Sequence, residues 1–362
     1  MAELADAHDS KSCGAIHVGS IPTSGTTMNF FTLAVFGYIF TASILIYIIS
    51  RDQRLPERFF GKLKKISWIF IIVLSATSMF AFYARFIEPF FIITKQRDIH
   101  ITTLSSPVKI ALVADIQLNK YKNNHWVKKI IKKIEEAKPD LIIFVGDLIS
   151  NEGSFHETGV TATNEAGLLA SFFTLTEKYP GYYTLGNHEY GLGNTTRSFP
   201  DLWTGDYSDE VKNTMDDIGV QSLINRLDCP KIKNQKICFF GIDDIWGAEN
   251  KQTIIDFSGL KEWDQKTPLI FVTHNPDGIL YWPKEIKKPD LVLAGHTHGG
   301  QIYLPFLGPI GDAGVVLGKK YYRGLNYFEN TPIYTSVGLG ESGGPIRFMT
   351  PPELSIINLT LQ

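Results

Sequence analysis

The chain has 362 residues, a formal net charge of −2 and 44% hydrophobic residues. So balanced a charge argues against a nucleic-acid partner held by bulk electrostatic attraction. Three cysteines are too few for a disulfide framework. Cys229 and Cys238 flank a plausible turn and would pair if the domain were exported, but two unpaired strand cysteines are the favoured interpretation.

Residues 1–27 are polar and rich in Gly, Ser and Thr, unlike the start of a membrane protein. They predict a disordered or non-native leader. Residues 17–23 can be back-translated to the T-arm signature of a transfer-RNA gene, which makes Met28 the alternative start. N-terminal sequencing tests this, since a mature chain that retains residues 2–27 would refute it.

Two apolar segments within residues 28–93 predict transmembrane helices. Residues 28–50 are uncharged, and their length suffices to cross the hydrocarbon of a bilayer. Residues 66–83 are also uncharged, and the chain continues apolar beyond Arg85. Two buried core helices are the alternative. A signal peptide is a weaker alternative for the first segment, because no A-x-A-like cleavage site follows it.

The loop between these segments is basic. Its positive residues are Arg51, Arg54, Arg58, Lys62, Lys64 and Lys65. Under the positive-inside rule the loop lies in the cytoplasm. We therefore expect a multi-pass protein of the inner membrane, with the remainder of the chain outside the cytoplasm.

Beyond the second span, residues 94–106 predict a polar connector and residues 107–362 a single catalytic domain. Short β-rich runs alternate with helical patterns and then give way to strands and turns. This order is typical of an α/β sandwich with mixed sheets. The polar stretches 151–164 and 191–209 are candidate lid or specificity loops.

Five polar blocks, each of which follows a short β-rich run, carry the chemistry. They are Asp115-Ile116-Gln117, Gly146-Asp147, Gly186-Asn187-His188-Glu189, His274-Asn275-Pro276-Asp277 and Gly295-His296-Thr297-His298-Gly299. In open α/β sheets, ligands bind beyond the carboxyl ends of the strands. The blocks are therefore expected to converge.

Oxygen and imidazole donors in these numbers predict a site for two divalent metal ions. Such a pair can clamp a phosphoryl group and stabilise a leaving oxygen. Asp147 follows a glycine that permits close packing, and it fits a carboxylate shared by both ions. His296 and His298 can reach neighbouring ions, while Asn187 offers an amide oxygen. His188 fits a proton donor, because imidazole titrates near neutral pH.

The five blocks, in this order, resemble the calcineurin-like metallophosphoesterase superfamily over about residues 108–361. That pattern runs Asp-x-His, Gly-Asp, Gly-Asn-His-Asp/Glu, a lone His and Gly-His-x-His. The residues that follow His274 and His296 are similar to those of a bacterial membrane-associated branch related to phosphodiesterase-like and UDP-2,3-diacylglucosamine hydrolase-like proteins. The resemblance implies a two-sheet α/β/β/α sandwich, here preceded by two transmembrane helices.

The resemblance also implies a role for each matching side chain. The first metal would be held by Asp115, Gln117, Asp147 and His298. The second would be held by Asp147, Asn187, His274 and His296. His188 would be the general acid beside the catalytic Asp147, with Glu189 adjusting its proton affinity.

Gln117 departs from the family pattern, because most members have histidine there. An amide oxygen is a harder ligand than imidazole, so the exchange favours Mn²⁺ or Mg²⁺ over Zn²⁺ or Fe.

Outside the seven ligand positions, three further interpretations are open. Asp277 is interpreted as a helix cap after Pro276. Arg347 is either a substrate-phosphate contact or a structural residue. Asp243 and Asp244 have no supporting motif, which favours surface or loop roles.

These patterns predict a membrane-anchored binuclear metal-dependent phosphoesterase, acting on a small-molecule or lipid-linked phosphate ester or diester. One alternative is a UDP-2,3-diacylglucosamine pyrophosphate hydrolase of lipid A biosynthesis, whose substrate is made on the cytoplasmic side. The other is a non-catalytic membrane scaffold that retains the fold.

Overall fold

The computed structural model describes residues 30–51, 57–119, 121–151, 162–192 and 205–361. The leader and most of both candidate lid loops lie outside the described residues. The helices are α1 Phe30–Arg51, α2 Glu57–Phe86, α3 Asn124–Ala137, α4 Ala162–Leu168, α5 Phe173–Thr176, α6 Ser208–Asp217 and α7 Ile245–Glu249. The strands are β1 Ile93–His100, β2 Val108–Ala114, β3 Leu141–Val145, β4 Gly181–Thr184, β5 Gln221–Ser222, β6 Arg226–Asp228, β7 Lys231–Ile232, β8 Gln235–Lys236, β9 Cys238–Gly241, β10 Leu269–Val272, β11 Leu291–Ala294, β12 Tyr303–Leu304, β13 Gly308–Pro309, β14 Gly324–Phe328, β15 Thr331–Thr335 and β16 Glu353–Thr360.

The two long helices α1 and α2 pack against each other as a hairpin. Two windows are apolar enough to cross a membrane by length and composition: Thr32–Ile49 in α1, with a mean hydropathy of 2.1, and Ile66–Phe90, which begins in α2 and runs just past its end, with a mean hydropathy of 1.9. Arg85, at the end of α2, donates to Thr32 Oγ1 near the start of α1 at 2.7 Å. The Phe36 and Phe86 rings lie 5.3 Å apart. The two apolar helices expected from the sequence are therefore present as candidate membrane spans.

Two six-stranded mixed sheets form the body of the domain. The first has the strand order β1-β16-β2-β3-β4-β5, and the second has the order β14-β15-β11-β10-β9-β6. The centre of each sheet is parallel: β2, β3 and β4 in the first, and β9, β10, β11 and β15 in the second. The family's two-sheet sandwich is confirmed.

Alternation along the strands separates the packed layers. In β2, Ile110 and Leu112 join the core between the two sheets, whereas Ala111 and Val113 face the outer core under α3 and α6. This period of two is the ordinary geometry of a strand buried on both faces. A third core, with Trp282 at its centre, covers the outer face of the second sheet.

The end of α2 is bonded to the domain. The Glu88 carboxylate accepts the backbone N–H groups of Met349 at 2.9 Å and Thr350 at 2.5 Å. The backbone N–H of Arg347 donates to Ala84 O at 2.9 Å. These bonds fix the second apolar helix directly against the catalytic domain.

The prediction of a polar connector at residues 94–106 is wrong for its first half. Residues 93–100 form β1, which pairs in parallel with β16 at the edge of the first sheet. Its side chains are mostly polar and mostly exposed, as is common in edge strands, so no apolar alternation marked it.

The favoured interpretation of Cys229 and Cys238 is also wrong, because the two residues form a disulfide. The intervening hairpin of β7 and β8 returns the chain so that the two Cα atoms lie 4.0 Å apart.

Candidate metal centre

The strand ends place the five polar blocks at one end of the sandwich. Asp115 directly follows β2, and Asp147 follows β3 with one residue between. His274 and His296 stand in the same position after β10 and β11 of the second sheet. The carboxyl ends of the parallel strands in both sheets therefore meet over a single site.

The ligand candidates sit in unusual backbone conformations. Asp115, Gln117, Asp147, His296 and His298 all have positive φ, between 48° and 70°. Side-chain-bearing residues rarely adopt this region, and such strain clusters at functional sites.

Glycines allow the blocks to approach one another. Gly146 has a φ of +59°, and a Cβ there would lie 2.4 Å from His274 Nδ1. A Cβ on Gly295 would lie 2.5 Å from Asp115 Oδ2. Any larger residue at either position would push two of the blocks apart.

Asp147 lies at the centre of the site. Its Oδ2 is 3.2 Å from His274 Nε2, 3.7 Å from His188 Nε2 and 3.1 Å from Gln117 Nε2, which donates to it. Its Oδ1 accepts the backbone N–H of His188 at 2.9 Å. One carboxylate thus joins side chains from three blocks.

The remaining candidates fall into two groups that share Asp147. Ligand atoms of Asp147, His274 and His296 lie within 4.8 Å of one another, and so do those of Asp115, Asp147 and His298. Asn187 Oδ1 is 2.9 Å from His296 Nδ1, which adds Asn187 to the group that contains His274 and His296. Every ligand candidate that the sequence predicts is therefore brought into one cluster.

Backbone carbonyls orient all four imidazole rings. Because a carbonyl only accepts, the facing ring nitrogen carries the hydrogen. His188 Nδ1 donates to Ser150 O (2.6 Å), and His274 Nδ1 donates to Val145 O (3.1 Å). His296 Nε2 donates to Ala313 O (3.0 Å), and His298 Nδ1 donates to Gly340 O (3.0 Å). The other nitrogen of each ring faces the cluster, an arrangement typical of metal-ligating histidines.

Comparison with known proteins agrees with this geometry. Residues 108–300 match the family model described as calcineurin-like phosphoesterase. The chain belongs to the calcineurin-like phosphoesterase family. It is therefore a metallophosphoesterase, a hydrolase acting on phosphoester bonds, from a family that generally depends on two metal ions.

Its relatives include a phosphodiesterase and a transmembrane protein. The chain is 32% identical to the uncharacterized metallophosphoesterase YkuE of Bacillus subtilis, over 76% of this chain and 88% of that protein. It is 27% identical to the phosphodiesterase YaeI of Escherichia coli, over 78% of this chain and 94% of that protein. A transmembrane protein with metallophosphoesterase domain from Bos taurus is 25% identical, over 70% of this chain and 56% of that protein.

Buried polar atoms without partners show that the phosphoesterase site fits metal ions. Among the described residues, Asp115 Oδ2, Gln117 Oε1 and His298 Nε2 are buried and have no hydrogen-bond partner. Such atoms are costly unless an ion or water satisfies them. All three belong to the ligand set, so a divalent cation would supply the missing partner.

In the absence of metal ions, burial and neighbouring charges shift the pKa values of the candidate ligands. Burial raises the pKa of Asp115 to about 8. Burial alone would lower the pKa of His274, but Asp147 beside it raises that pKa to about 10. Burial and the charge of His274 lower the pKa of His296 to about 3, and burial lowers that of His298 with help from Arg347. Two rings therefore present neutral nitrogens, while His274 holds a proton that a cation would displace.

Glu189 organises the loops of the site. Its fully buried carboxylate accepts the backbone N–H groups of Asp147 at 3.0 Å, Leu148 at 2.7 Å and Gly186 at 2.7 Å. Burial raises its pKa to about 7, with Asp147 adding to the effect. It holds the second and third blocks together.

Two site residues escaped the sequence analysis. Ser342 Oγ lies 3.2 Å from His188 Nε2, and the Trp246 ring lies 4.7 Å edge-on from the His296 ring. Ser342 belongs to a glycine-rich stretch, residues 338–344, whose composition was the available clue. Nothing local distinguished Trp246, because it reaches the site from the outer core.

Arg347 is not a substrate-phosphate contact. Its side chain is fully buried and donates to Glu341 Oε1 at 3.1 Å, Thr350 O at 2.8 Å and Val337 O at 3.0 Å. It also donates to Gly340 O, the carbonyl that orients His298. The structural interpretation of Arg347 therefore holds.

The expected cap at Asp277 is wrong, and so is the surface alternative for Asp243 and Asp244, which lie in the loop between β9 and α7. Asn275, not Asp277, caps the short helix Pro276–Tyr281. The Asp277 carboxylate instead accepts the N–H of Val316 at 2.6 Å. Asp243 and Asp244 are buried rather than superficial, and Asp243 accepts the Tyr190 hydroxyl at 2.7 Å.

Proposed function

We propose that this protein is a membrane-anchored phosphoesterase with two divalent metal ions, hydrolysing a phosphate ester or diester carried by a membrane lipid. Mn²⁺ or Mg²⁺ is the favoured metal. The observation that carries the proposal is the shared position of Asp147, whose carboxylate belongs to both ligand groups.

In this proposal each side chain keeps the role expected from the sequence. The first ion is held by Asp115, Gln117, Asp147 and His298. The second is held by Asp147, Asn187, His274 and His296. The ions would neutralise phosphate oxygens and lower the pKa of a water molecule.

His188 would be the general acid. Its Nδ1–H is fixed on Ser150 O, so Nε2 faces Asp147 and is held at the edge of the cluster. A proton carried at Nε2 would pass to the leaving-group oxygen. Ser342, 3.2 Å away, would orient that nitrogen when no substrate is bound.

Two observations support a domain outside the cytoplasm. The basic loop between the spans favours its own placement inside. The Cys229–Cys238 disulfide is of a kind that persists in oxidising compartments. Together they favour a multi-pass inner-membrane protein, whose substrate would be a lipid-linked or envelope phosphate and not a nucleic acid.

The test is hydrolysis by the purified full-length chain in detergent. Bis-p-nitrophenyl phosphate, p-nitrophenyl phosphate, lipid phosphates and nucleotide diphosphates would be offered with Mn²⁺, beside an Asp147→Ala variant. The proposal expects turnover of at least one ester and none by the variant.

Two outcomes would replace the proposal. Absence of both turnover and bound metal would favour the non-catalytic scaffold. Preferred cleavage of a nucleotide diphosphate-linked lipid, together with a cytoplasmic domain in reporter fusions, would favour the UDP-2,3-diacylglucosamine pyrophosphate hydrolase.

A further inference from the structure

A hairpin formed by β12 and β13 exposes large apolar side chains beside the metal centre. Residues 302–311 contain no charged side chain. The strands pair Tyr303 with Pro309, and the tip between them carries Phe306 and Leu307, which are 107% and 73% exposed. Exposed apolar clusters of this kind mark contacts with other proteins or with membranes.

The base of the hairpin is attached to the second apolar helix through Phe348. Tyr303 N donates to Phe348 O at 2.9 Å, and Ile302 forms a parallel bridge with Phe348. The Phe348 ring lies 4.1 Å from the ring of Phe80 and 6.2 Å edge-on from that of Tyr83. The hairpin therefore starts alongside α2.

Phe348 contacts α2 within the second candidate membrane span. Phe80 precedes Phe86, the end of α2, by six residues, or about 9 Å along the helix. Apolar side chains adjoining the same junction are also exposed, namely Ile87, Phe91, Ile310 and Met349. Tyr83 and Arg85 lie at this end of the span, where aromatic and basic residues usually mark the interface of a bilayer.

We propose that the hairpin inserts its tip, Phe306 and Leu307, into the lipid hydrocarbon beside the second span. This inference rests on the membrane anchoring in the proposed function. Continuity with α2 through Phe348 selects lipid over a soluble partner or a second copy of the chain.

Insertion would fix the metal centre at the membrane surface. The hairpin begins four residues after His298, and Ala313, just beyond it, holds His296 Nε2. A phosphate on a lipid headgroup would then reach the site while its acyl chains stay in the bilayer.

The test measures the depth of nitroxide labels on the full-length chain in nanodiscs of phosphatidylethanolamine and phosphatidylglycerol. Labels at F306C, at M79C in α2 and at I254C are compared in a C13S background with the native disulfide intact. Met79 and Ile254 are 74% and 75% exposed, so the two reference sites are matched in accessibility. The collision rates of each nitroxide with oxygen and with a water-soluble nickel chelate report its depth in the bilayer.

The inference expects lipid-like values at F306C and M79C and water-like values at I254C. In addition, F306D should move a label at L307C toward water, because a charge within the bilayer is costly. Hydrolysis of bis-p-nitrophenyl phosphate by F306D should stay unchanged, since Phe306 is fully exposed and belongs to neither ligand group.

Water-like values at F306C with lipid-like values at M79C would overturn the hairpin insertion alone. A label at F306C that is immobilised yet shielded from both quenchers would point to a second copy or another protein and would also overturn it. Water-like values at M79C would instead overturn the anchoring itself, whatever the hydrolysis assay shows.

Discussion

Nε2 of His274 lies 3.2 Å from Oδ2 of Asp147, and this pair decides how the metal centre responds to pH. The pKa of His274 is raised to about 10, above the ordinary value of about 6.5. The ion pair therefore stabilises the metal-free fold fully below about pH 6.5, and this stability is lost as pH rises through about 10.

The first prediction concerns protons. At pH 8 the metal-free protein keeps the proton on His274, so binding of Mn²⁺ must release it. Calorimetric titration in two buffers of different ionisation enthalpy should show proton release, and affinity should rise with pH. Binding enthalpies that do not depend on the buffer would contradict this.

The second prediction separates two histidines. His188→Ala should lower turnover by roughly 100-fold or more, the usual range for a lost general acid, while metal content stays unchanged. His125→Ala is the matched control, because His125 is exposed on α3. Equal activity of both variants would exclude His188 as the proton donor.

The third prediction concerns metal choice. Gln117→His should shift the preferred ion from Mn²⁺ or Mg²⁺ toward Zn²⁺, since imidazole is the softer ligand. Turnover of apo-protein against a metal panel measures this. A native chain active only with Zn²⁺ would show that the amide at this position does not set the preference.

The fourth prediction concerns Glu189. Glu189→Gln replaces one acceptor oxygen by an amide that meets backbone donors, so the free energy of unfolding should fall by about 2 kcal/mol. Glu210→Gln, at an exposed position of α6, should change it little. Denaturant unfolding measures both, and equal midpoints would mean that the carboxylate does not hold the loops.

The fifth prediction concerns compartment. If the domain is exported, Cys229 and Cys238 should resist alkylation in denatured whole-cell extracts until a reductant is added. Alkylation without reductant would place the domain in a reducing compartment and revive the cytoplasmic alternative.

The sequence predicted the site better than its surroundings. Asp115, Asp147, His274 and His296 each follow an apolar strand, and local pattern alone marks that position. The same pattern placed the central strands and both apolar helices. The convergence of these candidate ligands therefore followed from the strand ends, without any long-range information.

Features that depend on distant contacts were missed. β1 is a polar edge strand that exists because β16 pairs with it. Arg347 is charged and looks accessible in sequence, yet its partners are carbonyls gathered by tertiary folding. Asp243 is buried because Tyr190 reaches it across 53 positions.

Electron paramagnetic resonance of the Mn²⁺-loaded chain tests the shared-carboxylate site most directly. The native protein should bind two ions per chain and give the spectrum of a coupled Mn²⁺ pair, whereas Asp147→Ala should lose the coupling. A native spectrum of isolated single ions, unaltered by removing Asp147, would contradict a carboxylate shared by two ions.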